Sequence, residues 1–267
     1  MASASAAVPV FFPKSPSRGG VLYVHFPSAA EKDVVTLNGS QVPTTPCPPK
    51  WGKGVCALTG IAIDGTPDTM ELAVDGTKPI AIPVRSKKYP VSPLKVDPAH
   101  VDVNPEDKKR MEEERAEVTT LYASSAINPL WKGKFILPGK GGTTSPFGSQ
   151  RTFNGKVAST HYGLDLRGTE KTWALSSNAG RVVLAKELFN GGNMIIVDHG
   201  LGIFTSYSHL SSFAVKRGDL VEKGQRIGHV GSTGRVTGPH LHWAVRIRDL
   251  FVDPKEFLEV FNRVWAG

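Results

Sequence analysis

The sequence predicts a mainly β protein: an N-terminal immunoglobulin-like β-sandwich, one linking helix, and a second β-rich region. Three observations carry this. Residues 20–85 hold short apolar runs broken by turn dipeptides, and one later stretch opens with a full set of helix-start signals. The chain is also rich in turn formers, with 28 glycines and 20 prolines, which suits short strands and many loops. At 267 residues there is room for two modest domains, and 40% hydrophobic against 21% charged residues is a globular balance rather than a disordered one.

The first region is placed at residues 18–92. Its clearest strands are Val21–Val24, Asp33–Leu37, Val55–Leu58 and Met70–Val74, with Asn38-Gly39, Asp64-Gly65 and Asp75-Gly76 as turns. Several strands in so short a stretch point to a small sandwich. No chemical constellation falls in it, and His25, alone in a strand pattern, reads as a packing residue. Cys47 and Cys56 lie nine positions apart with no second pair and no histidine in their segment. A disulfide is therefore expected over a zinc knuckle or two free thiols; it stabilises by somewhat under ~3 kcal/mol and requires an oxidising compartment.

Proline-rich Val91–Asn104 reads as a linker. Asn104-Pro105-Glu106-Asp107 then supplies an N-cap, a first-turn proline and acids that complement the helix dipole, so a helix is expected over about 104–122. Its charged middle, Lys108–Arg115, reads as a solvated face. Linker and helix together occupy 93–130. The last region, 131–267, has strand-like runs at Arg181–Leu184, Met194–Asp198, Ile203–Tyr207 and Gln225–Val230, and a helical turn or two in Pro254–Val264.

The formal charge of +8 and pI of about 9.5 favour polyanionic partners, nucleic acids, anionic membranes and wall polymers among them. With no arginine-rich tract or nucleic-acid motif, nucleic acid is not an expected partner. No run of eighteen apolar residues supplies a transmembrane segment. Met1–Ala7 lacks the charged and apolar regions of a signal peptide, while its small residues resemble those that follow a cleavage site. The expectation is an exported monomer, periplasmic or secreted, with its signal peptide removed.

The chemistry concentrates in the histidines of the last region. In His161-Tyr162-Gly163-Leu164-Asp165, a turn at Gly163 would fold an imidazole and a carboxylate onto one ion. In His240-Leu241-His242-Trp243, strand geometry puts both histidines on one face and Leu241 and Trp243 on the other. His209, in Tyr207-Ser208-His209-Leu210, closes a predicted strand. His199 reads as a turn residue and His229 as a strand-surface group. Taken together, His161, Asp165 and one of His240 and His242 supply the three ligands of a catalytic zinc site with one position open. The other histidine and His209 flank it, placed to move a proton or hold an oxyanion.

These motifs resemble those of lysostaphin-type zinc endopeptidases, which cleave peptidoglycan peptides. The resemblance runs over about residues 133–254, and includes Gly191-Gly192-Asn193, Val221–Gly228 and Gly231–His240. Pro146–Gly155 and Val252-Asp253-Pro254 resemble a Gram-negative branch that carries an N-terminal β domain. The resemblance implies an antiparallel β peptidase domain with an open groove and one Zn2+ per chain on His161, Asp165 and His242. It also implies His209 and His240 as the catalytic pair, Asn193 lining the groove, and hydrolysis of peptide cross-links through a metal-activated water. Some Gram-positive members place a tyrosine shortly before the first ligand histidine; Phe153–Thr160 has none. The alternative reading is a non-catalytic scaffold or activator of other cell-wall hydrolases, but such relatives typically lose metal ligands and all five positions are filled here.

Overall fold

The computed structural model describes residues 9–265 except 31, 46, 76, 95–103 and 154–155. The chain divides into two compact units, residues 1–87 with 255–267, and residues 88–254.

The first unit holds eight strands: β1 (Val10–Phe12), β2 (Val21–Phe26), β3 (Val35–Leu37), β4 (Ser40–Val42), β5 (Thr44–Thr45), β6 (Val55–Gly60), β7 (Thr69–Val74) and β8 (Ile80–Pro83). They form two antiparallel four-stranded sheets, ordered β1-β2-β6-β5 and β4-β3-β7-β8. Their inward residues, among them Leu22, Val24, Val35, Ala57, Leu72 and Ile82, make one apolar core. Asn38 and Gly39 both take positive φ, 50° and 75°, the type I′ geometry that suits the two-residue connection of β3 to β4. Gly76, of the expected Asp75-Gly76 turn, lies outside the described residues. Cys47 and Cys56 are joined as a disulfide, and His25 is buried against Trp51, its Nε2–H donating to the Lys53 carbonyl.

The C-terminal tail groups with this first unit and not with 131–254. It is a three-turn helix, Pro254–Val264, where a turn or two was expected. Phe257, Val260, Phe261 and Val264 are all at most 4% exposed. Their i, i+3, i+4, i+7 spacing is the stripe of an amphipathic helix, and each such burial contributes roughly 1.5–3 kcal/mol.

The second unit opens with β9 (Val91–Leu94), where a linker was expected. It runs parallel to β11 (Gln150–Phe153) at the edge of a three-stranded sheet completed by β12 (Lys156–Thr160). An edge strand tolerates Pro93, which has no N–H to give a ladder. Helix α1 spans Pro105–Tyr122, with Asn104 as N-cap accepting from the Asp107 N–H. Its half-buried side includes Asp107, Met111, Glu114, Val118 and Leu121, a helical stripe inside a charged sequence. Val118, Leu121 and Tyr122 pack on Leu184, Leu188, Ile196 and Phe204.

The larger sheet of this unit has ten strands. Its path runs β10 (Thr143–Ser145), β13 (Leu164–Arg167), β20 (His240–Ile247), β17 (Ile203–Phe213), β16 (Gly192–Asp198), β15 (Gly180–Leu188) and β18 (Leu220–Val221). The strands β14 (Trp173–Leu175), β19 (Arg226–Val230) and β21 (Leu250–Val252) join it at the side, and every pairing in it is antiparallel. No helix among the described residues is long and apolar enough to cross a membrane.

Candidate metal centre and its flanking histidines

Strand β20 lies between β13 and β17, and its register builds the centre of the site. His242 stands opposite Asp165 on one side and Ser208 on the other, and His240 stands opposite Arg167. Directly opposed residues point to one face of a sheet, so Asp165, Ser208 and His242 share a face, and His240, two residues along, joins them. Leu241 and Trp243, 2% and 0% exposed, fill the opposite layer. Two imidazoles and a carboxylate are thus set side by side by strand alternation alone.

His161 enters from the segment just before β13. The chain bends at Gly163, His161 and Asp165 come together across the bend, and the glycine has a further use there. A Cβ at position 163 would lie 2.5 Å from His242 Cε1 and 2.6 Å from its Nε2. Glycine is needed so that the His242 ring can lie against this backbone.

His209 reaches the site by an irregularity. In a regular strand the residue after Ser208 would face the opposite layer with Tyr207. Here the β16–β17 ladder slips: Ile195 pairs with Tyr207 but Asn193 with Leu210, so one residue, Met194, stands against two, Ser208 and His209. His209 itself has φ +64°, a left-handed conformation that costs of order 1–3 kcal/mol outside glycine. The bulge turns its ring to within 4.9 Å of the His240 ring and 5.9 Å of the His242 ring, centroid to centroid.

The donor atoms converge closely. His161 Nε2, His242 Nδ1 and Asp165 Oδ1 are 2.9 Å apart in all three pairs, and His240 Nε2 is 3.7 Å from Asp165 Oδ1. Proton accounting shows what such a triangle asks for. The Pro146 carbonyl, an acceptor only, lies 2.9 Å from His161 Nδ1, so that nitrogen carries the proton and Nε2 of the neutral ring presents a lone pair. Lone pairs of His161 and His242 and a carboxylate oxygen then face one another with at most one proton among them. A cation satisfies all three. Two nitrogens and one carboxylate oxygen, with no fourth protein donor among the described residues, are a donor set suited to zinc with a position open. His25, Cys47 and Cys56 also place three donor atoms together, but both sulfurs are consumed by the disulfide.

The flanking rings are held in one tautomer by the backbone. His209 Nδ1–H donates to the Thr233 carbonyl at 3.0 Å and His240 Nδ1–H to the Gly238 carbonyl at 2.9 Å. Both Nε2 atoms are left to accept. Burial pushes the His209 pKa down to about 4, with the charges of His242 and His240 adding to it against the Thr233 hydrogen bond. Burial lowers the His242 pKa as well, with Asp165 offsetting part of it. Burial would also lower His161 and raise Asp165, but the hydrogen bond and charge between them prevail. The His161 pKa is raised, and Asp165 is held well below the usual carboxylate range.

Asn193 sits half-buried at the bulge, its N–H donating to Thr233 Oγ1. His199, read from sequence as a turn residue, is fully buried between the Ala179 carbonyl and Thr205 Oγ1. His229 lies tilted against Trp173 with ring centroids 3.6 Å apart and meets Ser212 Oγ. The carbonyls of Pro146, Thr233 and Gly238 escaped the sequence reading, since a backbone acceptor leaves no residue-type signal. The Phe153–Thr160 stretch noted for its lack of tyrosine includes Asn154 and Gly155, which lie outside the described residues.

Comparison with known proteins shows which family this segment is similar to. The family profile described as Peptidase family M23 matches residues 159–254, the segment that carries all five of these residues. A crystal structure described as a peptidase M23 from Pseudomonas aeruginosa superposes with a TM-score of 0.72 at 31% identity, covering 92% of this chain and 96% of that one. The chain belongs to peptidase family M23. Among M23 relatives, the peptidoglycan DD-endopeptidase ShyA of Vibrio cholerae is 42% identical over 93 residues, 35% of this chain and 22% of that protein. The peptidoglycan DD-endopeptidase ShyB of the same organism is 37% identical over 112 residues, 41% of this chain and 26% of that protein. The chain thus spans only about a quarter of the length of these curated M23 relatives, whereas its match to the Pseudomonas structure takes in most of both chains.

Proposed function

We propose that the protein is a zinc-dependent endopeptidase that hydrolyses peptide cross-links of bacterial peptidoglycan, with residues 88–254 as its catalytic unit. The observation that carries this reading is the triangle of His161 Nε2, His242 Nδ1 and Asp165 Oδ1, three atoms at mutual 2.9 Å with at most one proton among them. In this reading those atoms hold one zinc ion, which supplies Lewis-acid polarisation of a carbonyl and lowers the pKa of a bound water toward neutrality.

The remaining roles fall to the chain's own groups. His209 and His240 present Nε2 atoms on the open side of the triangle. His209, its Nδ1–H held by the Thr233 carbonyl, accepts at Nε2, where it takes a proton from the attacking water. His240, closer to Asp165, donates from Nε2 only as the imidazolium, protonated on both nitrogens, toward the oxygen that gains charge or toward the departing amine. Pro146, Thr233 and Gly238 fix the tautomers that these roles require, as outer partners do at metal sites generally. Asn193, half-buried beside the bulge, contacts the peptide in the groove.

The substrate class rests on the family and on the names of the two Vibrio relatives, which favour a D,D cross-link between stem peptides. The charge of +8 suits an anionic wall. The protein works as an exported monomer, where the Cys47–Cys56 disulfide is kept oxidised. A scaffold or activator of other hydrolases would not need five filled positions. Digestion of purified cross-linked muropeptides, followed by mass spectrometry, tests the assignment. Dimers should give monomers with the gain of one water when zinc is loaded. Intact dimers after incubation with the zinc-loaded chain would refute it.

A further inference from the structure

The bulge that aims His209 opens a gap in the sheet, and one side chain fills it. Asn193 and Leu210 are register partners, yet a hydroxyl stands between them: the Asn193 N–H donates to Thr233 Oγ1 at 2.9 Å, and Thr233 Oγ1–H donates to the Leu210 carbonyl at 2.7 Å. Thr233 belongs to the loop between β19 and β20, so the inserted group comes from outside both strands. The same residue gives its own carbonyl to His209 Nδ1–H. One threonine therefore bridges the opened ladder with its side chain and orients the imidazole with its backbone.

The surrounding backbone is shaped to admit it. Gly192, at φ +59°, passes so close to Thr233 that any Cβ there would collide with the threonine's carbonyl and hydroxyl. Gly234, at φ +77°, would likewise drive a Cβ into the Gly192 backbone. The His209 N–H is anchored on the same hairpin turn, donating to the Gly191 carbonyl at 2.8 Å. A strained left-handed histidine needs its surroundings to over-determine it, and three hydrogen bonds of Thr233 do so from one loop.

We propose that Thr233 is a positioning residue for the reaction, its hydroxyl inserted into the β16–β17 ladder to hold open the bulge that turns His209 onto the metal-facing side. The proposal rests on the hydrolase reading for its kinetic arm only. Thr233→Val keeps the shape and removes the hydroxyl; Thr233→Ser keeps the hydroxyl. In the full zinc-loaded chain, Thr233→Val should bind one zinc like the wild type, since no zinc donor is touched. It should lose on the order of 10²-fold in kcat with little change in KM, and Thr233→Ser should recover most of that loss. Thr233→Ala serves in place of valine if the latter fails to fold.

Two spectroscopic readouts separate positioning from general damage. The Asn193 amide should exchange with solvent markedly faster in Thr233→Val, and the ring 15N shifts of His209 should leave the pattern of a fixed Nδ1–H tautomer, both returning in Thr233→Ser. Valine or alanine variants with wild-type kcat and unchanged Asn193 exchange would overturn the proposal, as would a serine variant that rescues neither. If the wild-type chain cleaves no muropeptide, the hydrolase reading fails, while the exchange and 15N readouts still decide the role of Thr233.

Discussion

His209 shows how little of a residue's role is carried by its type. Its imidazole is useful only because one extra residue in β17 turns it to the face of His242 and Asp165, and because the Thr233 carbonyl fixes its tautomer. Replacing it with alanine removes no donor from the triangle. His209→Ala should bind one zinc as tightly as wild type and lose roughly 10²–10⁴-fold in kcat; paired metal analysis and steady-state kinetics check this, and parallel loss of zinc and turnover would make His209 a ligand instead. His199 offers a contrasting case of a histidine that works by staying neutral. Burial pushes its pKa down to about 4, against about 6.5 in the unfolded chain, with the Ala179 hydrogen bond opposing only in part. Because the unfolded state binds the proton first, the stability it contributes is fully present above about pH 6.5. It is lost as pH falls toward 4, by up to ~1.4 kcal/mol per pH unit. Urea unfolding at several pH values should show this loss in wild type and a shallower one in His199→Gln. Equal slopes would show that His199 does not control it.

Among the elements, α1 departs most from its sequence pattern. Its middle reads as solvated charge, and Lys108, Lys109 and Glu113 are indeed exposed. Glu114 is not. It accepts from Arg110 Nε and from the Phe189 N–H at 2.8 Å each, and the Phe189 ring lies within cation–π range of both Arg110 and Arg235. The helix is thus fastened to the β15–β16 turn, whose Asn190 carbonyl accepts from the Arg235 N–H of the loop that also carries Thr233. Glu114→Ala should cost roughly 1–2 kcal/mol and speed exchange of the Phe189 amide, whereas Glu114→Gln keeps the acceptor and most of the protection. Unchanged exchange in the alanine variant would dismiss the fastening. Strand alternation in His240–Trp243 and the N-cap at Asn104 were legible in the sequence because they depend on local chemistry. The bulge at His209, the β9 pairing and the Glu114 contact were not, because each depends on a partner far along the chain. The C-terminal helix is a different kind of miss: the stripe Phe257, Val260, Phe261, Val264 was there to be read.

At the scale of the whole molecule, the chain forms two compact units, residues 1–87 with 255–267 and residues 88–254. A cut at residue 126 would strip the second unit of β9, α1 and Tyr122, which packs on Leu184 and Phe204. All five residues of the candidate site lie within 88–254, so under the proposed function the activity of the full chain must follow occupancy of the His161–Asp165–His242 triangle. The most direct test strips the protein with a chelator, then titrates zinc back while following cleavage of cross-linked muropeptides. Cleavage should be absent at zero zinc and rise linearly to a break at one equivalent per chain. Cleavage that survives complete removal of metal, or a fully loaded chain that cleaves nothing, would contradict the proposed function.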